Sequence, residues 1–250
     1  CIFAAPALPV FAAAPLPPVE AFFDNPTFSG AVLSPDARFL AVRTSKPGGR
    51  DMLAVVDLAT MAIKVVGNFG NADVGAFSWV NNQRLLFTSA DRQVGRGDAM
   101  YAPGLYAVNR DGSAFRQLAS RRNSFVQMSN QRELLPWNTY MLGQSGAQNT
   151  DAVYVISPQF SGPDVKDVDL LRLDTVSGRH IRVNRPRHAR SFLLDQTGEP
   201  RIATAIEEGD ALVWYRDPKT DEWRKLAQFG LFGDDRGFTP VAFGPDGALY

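Results

Sequence analysis

The sequence predicts an all-β chain: an incomplete β-propeller of about four and a half four-stranded blades. Three observations carry that prediction. First, a phrase of strand, tight turn and strand recurs at a spacing of roughly 45 residues, as propeller blades do. It is written out as Leu33-Ser-Pro-Asp-Ala-Arg-Phe-Leu-Ala-Val and restarted as Phe243-Gly-Pro-Asp-Gly-Ala-Leu-Tyr. Looser copies stand at Trp79-Val-Asn-Asn-Gln-Arg-Leu-Leu-Phe and Leu194-Asp-Gln-Thr-Gly-Glu-Pro-Arg-Ile-Ala. Second, a hairpin of different character recurs between those copies, an apolar run, a polar turn and an outer run of alternating character. Third, no stretch has the 3.6-residue apolar spacing of a useful amphipathic helix.

Element by element, residues 15–24 form a proline-rich lead-in with at most one helical turn after Pro18. Blade one then reads as strand Phe28–Leu33, a turn at Ser34-Pro-Asp, strand Phe39–Thr44, strand Met52–Asp57, a turn at Leu58–Met61 and strand Ile63–Val66. Proline presets φ for the turn, while Asp, Asn and Gly tolerate the conformations that hairpins require. The outer hairpin is repeated as Leu105-Tyr-Ala-Val-Asn-Arg-Asp-Gly with Phe115-Arg-Gln-Leu, and as Leu170-Leu-Arg-Leu-Asp-Thr-Val-Ser-Gly with His180-Ile-Arg-Val. A further copy is Leu212-Val-Trp-Tyr-Arg-Asp-Pro-Lys-Thr-Asp with Trp223-Arg-Lys-Leu. Blade three is irregular: residues 125–169 are expected to hold long polar loops at Gly143–Asp151 and Gly162–Asp167. A fifth blade begins near Phe238, and the sequence is expected to end before its ring closes. Two apolar flanks would then lie uncovered, which predicts marginal stability for residues 15–250 alone.

Composition narrows the function. A hydrophobic content of 45% with 17 Phe suffices for a large core, and 26 basic residues cancel 26 acidic ones. With no global field, a nucleic-acid partner is disfavoured. The single cysteine, Cys1, excludes an intrachain disulfide framework. Residues 1–14 are small and apolar and end in Ala12-Ala13-Ala14, which reads as the remnant of a secretory signal followed by the propeller portion, residues 15–250. A disordered Ala/Pro linker and a lipidated Cys1 are the competing readings of that segment. It is too short to span a bilayer as a helix, so export without a membrane span is expected, to the periplasm or outside the cell.

Catalytic chemistry is sparse. The nearest approach to a nucleophile elbow, Gly143-Gln-Ser-Gly-Ala, lacks the final glycine and lies in a loop. His180 sits after a Ser-Gly turn on an outer strand, and His188 lies in the basic connection Arg185–Arg190, which reads as a solvated face. With two His and one Cys no zinc ligand set exists. Asp164, Asp167 and Asp169 cluster without the alternating ligands and central glycine of a calcium loop, and read as a solvated insertion. No catalytic, metal or cofactor residue is assigned, and no cofactor is expected. Arg96-Gly97-Asp98 reads as a chance loop triplet, and Trp79, Trp137, Trp214 and Trp223 as packing residues between blades.

Three stretches together resemble the N-terminal propeller of the prolyl oligopeptidase family of serine peptidases, in particular its bacterial dipeptidyl aminopeptidase and acylaminoacyl-peptidase-like members. They are Phe22-Phe-Asp-Asn-Pro-Thr-Phe-Ser-Gly-Ala-Val-Leu-Ser-Pro-Asp-Ala-Arg-Phe-Leu-Ala-Val, Trp214-Tyr-Arg-Asp-Pro-Lys-Thr-Asp-Glu-Trp-Arg-Lys-Leu-Ala, and Phe238-Thr-Pro-Val-Ala-Phe-Gly-Pro-Asp-Gly-Ala-Leu-Tyr. The resemblance implies a seven- or eight-bladed ring followed by a C-terminal α/β-hydrolase domain as partner within the same protein, short peptides as substrates, and a Ser-Asp-His triad on the hydrolase. None of that triad is carried over to this chain. Dipeptidyl peptidases of the family also hold a substrate's amino terminus with an acidic pair on a helical insertion. Glu207 and Glu208 are the candidates here, although Glu-Glu-Gly-Asp equally reads as a hairpin turn and no helical insertion is evident. The alternative is a non-enzymatic periplasmic propeller acting as a protein-binding module, since fold alone does not fix function. The Trp214 to Leu226 stretch favours the peptidase, because binding propellers have more uniform blades.

Overall fold

A computed structural model describes residues 28–46, 48–95, 101–122, 134–143, 149–232 and 237–250. The signal-like segment, the lead-in with Phe22 and Phe23, the Arg96-Gly97-Asp98 triplet and most of Gly143-Gln-Ser-Gly-Ala lie outside the described residues. Among the described residues sixteen strands form four antiparallel four-stranded sheets, each a simple meander in chain order. Blade one comprises β1 (Phe28–Leu33), β2 (Phe39–Thr44), β3 (Met52–Asp57) and β4 (Ile63–Gly67). Blade two comprises β5 (Asp73–Trp79), β6 (Arg84–Ala90), β7 (Leu105–Asn109) and β8 (Arg116–Ala119). Blade three comprises β9 (Tyr140–Met141), β10 (Ala152–Ser161), β11 (Asp164–Asp174) and β12 (His180–Arg182). Blade four comprises β13 (Ala189–Leu194), β14 (Pro200–Glu207), β15 (Asp210–Arg216) and β16 (Trp223–Gly230). Among the described residues no helix is long and apolar enough to cross a membrane.

Alternation along each strand splits every blade into a leading face, turned to the preceding blade, and a trailing face. On the trailing face of blade one, Phe39, Ala41, Leu53, Val55 and Val66 meet Val74, Trp79, Leu85, Phe87, Tyr106 and Val108 of blade two. The next layer joins Leu86, Leu105, Ala107 and Leu118 to Val153, Val155, Leu171 and Leu173. The third joins Tyr154, Val168 and Leu170 to Phe192, Leu194 and Ala203, with Trp214 and Trp223 packed against them. Trp79 also donates its indole N–H to the Val32 carbonyl at 2.9 Å, and Trp223 donates to the Asn184 carbonyl at 2.9 Å. The leading face of blade one is different. Among the described residues its buried cluster of Val42, Ala54 and Val56, with Leu40, contains residues of blade one alone.

The turns explain why the strands begin and end where they do. Ser34 is buried; its hydroxyl donates to Asp36 Oδ1 at 2.6 Å and accepts the Phe39 N–H at 3.0 Å, which lets Ala37 sit at φ 55°. The Asp-Gly-rich restart at the C-terminal end forms a hairpin with a Phe243–Leu249 bridge, and its Gly247 has φ 79°.

Two expectations for blade three change. The polar loop foreseen at Gly162–Asp167 is a tight turn at Gly162 (φ 63°), and β11 already starts at Asp164. Asp164 is exposed, but Asp167 and Asp169 are no solvated insertion, nor is Arg185 part of a solvated face. Asp169 is buried and accepts from Arg185 Nε at 3.1 Å and Nη2 at 2.8 Å, while Asp167 accepts from Arg185 Nη1 at 3.2 Å and the His188 N–H at 2.8 Å. The reason is physical. A buried carboxylate must be paired, and the connection from blade three to blade four supplies the guanidinium.

Candidate functional site at the turn face of blades two to four

In a four-stranded meander, the turns between strands one and two and between strands three and four emerge at the same end of the blade. That end is the turn face. Here it carries an Asp or Asn at the exits of β3, β7 and β11 and just after β5, β13 and β15, because a short polar side chain can cap the backbone N–H groups of a turn. Asp57 Oδ1 accepts from Ala59 and Thr60, Asp174 Oδ1 from Val176 and Ser177, and Asp217 Oδ1 from Lys219 and Thr220. The backbone N–H of Ser177 is the largest of the causes that hold the Asp174 carboxyl below its ordinary range. Asp195 accepts from Thr197 and Glu199 in the same way. Burial pushes its carboxyl up, but those bonds and the Arg201 guanidinium outweigh it, so the net shift is downward.

Polar contacts then cross from blade to blade. Asn82 Oδ1 accepts the Asp36 N–H at 2.9 Å, and Asn81 Nδ2 donates to the Thr150 carbonyl at 3.1 Å and to Asp151 Oδ1 at 2.9 Å. Arg84, 1% exposed, extends from blade two into blade three. Its Nε donates to Thr175 Oγ1 at 2.8 Å and Nη2 to the Thr175 carbonyl at 2.7 Å. Its Nη1 reaches Asn109 Oδ1 at 2.8 Å and the Ala114 carbonyl at 3.2 Å. Four neutral acceptors thus hold a buried cation, whose pKa burial lowers from the usual arginine value. Between blades three and four, the Tyr154 hydroxyl donates to Glu199 Oε2 at 2.8 Å. Burial first, and the neighbouring Glu199 second, push the Tyr154 phenol up to about 12.

Three adjoining cavities open between these contacts. One of about 550 Å³ is lined by Asn81, Asn82, Gln83, Asn109, Asn149 and Asp151. A second, of about 320 Å³, is lined by Asp151, Arg172, Asp174, Arg179, His180 and Ile181. The third, also about 320 Å³, is lined by Thr150, Tyr154, Arg172, Thr197 and Glu199. Of the residues singled out in the sequence, His180 alone lines one of these cavities. His188, at φ 54°, lies in the connection beside Asp167. Glu207 and Glu208 are exposed and form the β14–β15 hairpin, with Glu208 at φ 51° and Gly209 at φ 92°; this turn projects from the opposite end of blade four. Arg172, Tyr154 and Glu199 went unremarked in the sequence because they lie inside ordinary strand and turn patterns. Tyr154 and Glu199 meet only across the junction of two blades.

No protein-family profile matches the chain, and no curated protein does. Solved structures do. A prolyl endopeptidase aligns at a TM-score of 0.52 and 10% identity, covering 82% of this chain and 30% of that one. TolB from Acinetobacter baumannii aligns at 0.46 and 18%, covering 88% of this chain and 47% of that one. An acylaminoacyl peptidase from Pyrococcus horikoshii aligns at 0.44 and 15%, covering 80% of this chain and 38% of that one. The chain spans less than half the length of each of these three. At such identities the likeness speaks to fold alone, and it agrees with the sheet topology: this chain has the all-β, four-stranded-blade architecture of a β-propeller.

Proposed function

We propose that this chain is the propeller portion of an exported serine peptidase of the prolyl oligopeptidase family, which admits and positions short peptides for a C-terminal α/β-hydrolase domain. The observation that carries this reading is the order and spacing of the three family-like stretches opening at Phe22, Trp214 and Phe238. The blade architecture is compatible with it. In this division of labour the propeller restricts entry by size and the hydrolase supplies nucleophile, base and oxyanion donors, with peptide-bond cleavage passing through an acyl-enzyme.

The test is to read the coding sequence for about 350 codons after Tyr250, a span set by the remaining blades plus one hydrolase domain. A Gly-x-Ser-x-Gly elbow followed by Asp and then His is the expected result. Its absence overturns the proposal in favour of a binding propeller. In parallel, the purified chain is expected to give no turnover of chromogenic dipeptides, and serine-type activity in it would overturn the division of labour.

A further inference from the structure

The two smaller cavities of the turn face share Thr150, Ala152 and Arg172, so Arg172 stands at the junction of one continuous groove between blades three and four. The charges that line this groove are unequally engaged. On the acidic side, Asp151 Oδ1 accepts from Asn81 at 2.9 Å, and Asp174 Oδ1 accepts from Val176 at 3.0 Å and Ser177 at 2.7 Å. Glu199 Oε2 accepts from Tyr154. On the basic side, among the described residues, no hydrogen bond or ion pair is made by the side chains of Arg172, Arg179 or His180. Arg172 is exposed on β11, flanked across the sheet by Tyr154 and Ile181. The groove therefore offers a planar guanidinium whose donors no described residue engages, beside apolar surface from Ala152 and Ile181. Arginine's fork of donors matches a carboxylate in two parallel bonds. At the far end stand the Thr197 and Glu199 side chains, the latter oriented through Oε2 by Tyr154. That end suits an N–H or ammonium donor.

We infer that this groove binds short peptides by their free α-carboxylate, held by Arg172, with the peptide's nitrogen end directed to Glu199. The inference rests on the peptide-handling function proposed above and deepens it by naming the end of the peptide that is recognised. The volume is in keeping: two connected chambers of about 320 Å³ each fall in the range of small-molecule sites.

The experiment is isothermal titration of the full chain with the dipeptide Ala-Phe, with its C-terminal amide, and with inorganic phosphate. The acid is expected to bind at least ten-fold more tightly than the amide. Arg172→Gln is expected to abolish that difference and Arg172→Lys to retain part of it, with an unchanged circular dichroism spectrum because the side chain is exposed. Glu199→Gln is expected to weaken Ala-Phe several-fold while leaving N-acetylated Ala-Phe unaffected. Equal binding of acid and amide overturns the carboxylate assignment while leaving the peptidase reading intact. Phosphate displacing and outbinding the dipeptide overturns it in favour of a general anion site. Absence of dipeptide binding overturns it outright, while the coding-sequence test of the peptidase reading stands apart from all three outcomes.

Discussion

Blades one and two carry matching positions on their leading faces, and the two faces live in different surroundings. In blade two, Leu85 pairs with Val108 and Phe87 with Tyr106 across β6 and β7. In blade one, Leu40 pairs with Val56 and Val42 with Ala54 across β2 and β3. The register is the same, as is the alternation. Yet blade two's set lies under the trailing face of blade one, whereas among the described residues blade one's set packs with its own strands alone. Around it, Leu33 is 54% exposed, Ile63 55% and Val65 45%. Side-chain size differs with the partner: Phe87 and Tyr106 where another blade interlocks, Val42 and Ala54 where no other described blade packs. The lesson is that the blade pattern specifies an interlocking surface, whereas its energetic weight comes from the adjacent blade.

The largest expected effect tests that weight directly. Phe87→Ala removes a ring in contact distance of Phe69, Tyr106 and Phe115, with centroid separations of 5.9, 5.6 and 6.2 Å. Loss of a fully buried Phe side chain costs about 3–5 kcal/mol, whereas Val42→Ala is expected to cost about 1 kcal/mol. Urea denaturation at constant m separates the two. Equal losses would show that coverage does not set the weight and would break the comparison.

Trailing faces sharpen it. Phe39 and Arg84 occupy the same place at the start of the second strand, paired with Asp57 and Asn109 respectively. At the first junction the Arg110 guanidinium from blade two sits 4.0 Å above the centre of the Phe39 ring. At the second, the arginine comes from the preceding blade and bonds forward. Arg84→Met preserves much of the volume but strands the Thr175 carbonyl and Asn109 Oδ1, at a cost of about 3 kcal/mol. Phe39→Leu is expected to lose about 1 kcal/mol. The midpoint of thermal unfolding should therefore fall further for the arginine.

These junction residues mark the boundary of what the sequence reveals. Strand positions were legible: β1, β2 and β3 begin and end at the residues that period-two alternation and turn chemistry indicate. So were the hairpin at Glu207 to Asp210 and the packing roles of Trp79, Trp214 and Trp223. Arg84 was not legible as a cross-blade tie, because its acceptor Thr175 lies 91 residues away. Nor were Asp167 and Asp169, since a run of acids looks the same in sequence whether it meets water or Arg185. The turn-face groove escaped for that reason too: Arg172 and Glu199 belong to different blades, and periodicity records faces without recording neighbours.

The acid limb of stability offers a subtler contrast. At the first junction, Asp73 is buried and accepts the Asp51 N–H at 2.9 Å, the Arg92 N–H at 3.0 Å and Arg50 Nη1 at 2.9 Å. Burial pushes its carboxyl up, but those donors together more than offset it, and the net shift is below the ordinary value of 3.8. The folded state thus binds its proton later than the unfolded chain as pH falls. The stabilisation is present above that value and is lost as acid carries the pH down through the lower folded pKa. Asp73→Asn is expected to flatten this limb in a stability-versus-pH series and to cost about 2 kcal/mol at neutral pH. An unchanged limb would mean that the junction's charges contribute nothing to its acid sensitivity.

The smallest effect separates two turns built on one plan. Met61 and Gly178 each follow a strand-ending Asp by four residues, and each donates its N–H back to that residue's carbonyl, at 2.7 and 2.9 Å. Both are left-handed, with φ 58° and 76°. Glycine adopts that region freely, whereas a side chain crowds its own carbonyl at a cost of roughly 1 kcal/mol. Met61 is 67% exposed, so little contact is forfeited on removing it. Met61→Gly is therefore expected to stabilise by somewhat under 1 kcal/mol, since glycine's extra unfolded freedom takes back part of the gain. Gly178→Ala should destabilise by about 1 kcal/mol or more. A Cβ there would stand 3.0 Å from Arg116 Nε and Nη2, so the guanidinium must move as well. Asp221, at φ 60° in the equivalent turn of blade four, tolerates the conformation better as an aspartate, and Asp221→Gly should gain a few tenths of a kcal/mol at most. If Met61→Gly destabilised instead, the turn would owe its shape to contacts of the methionine, and the repeat of Asp-capped turns would not be the common cause.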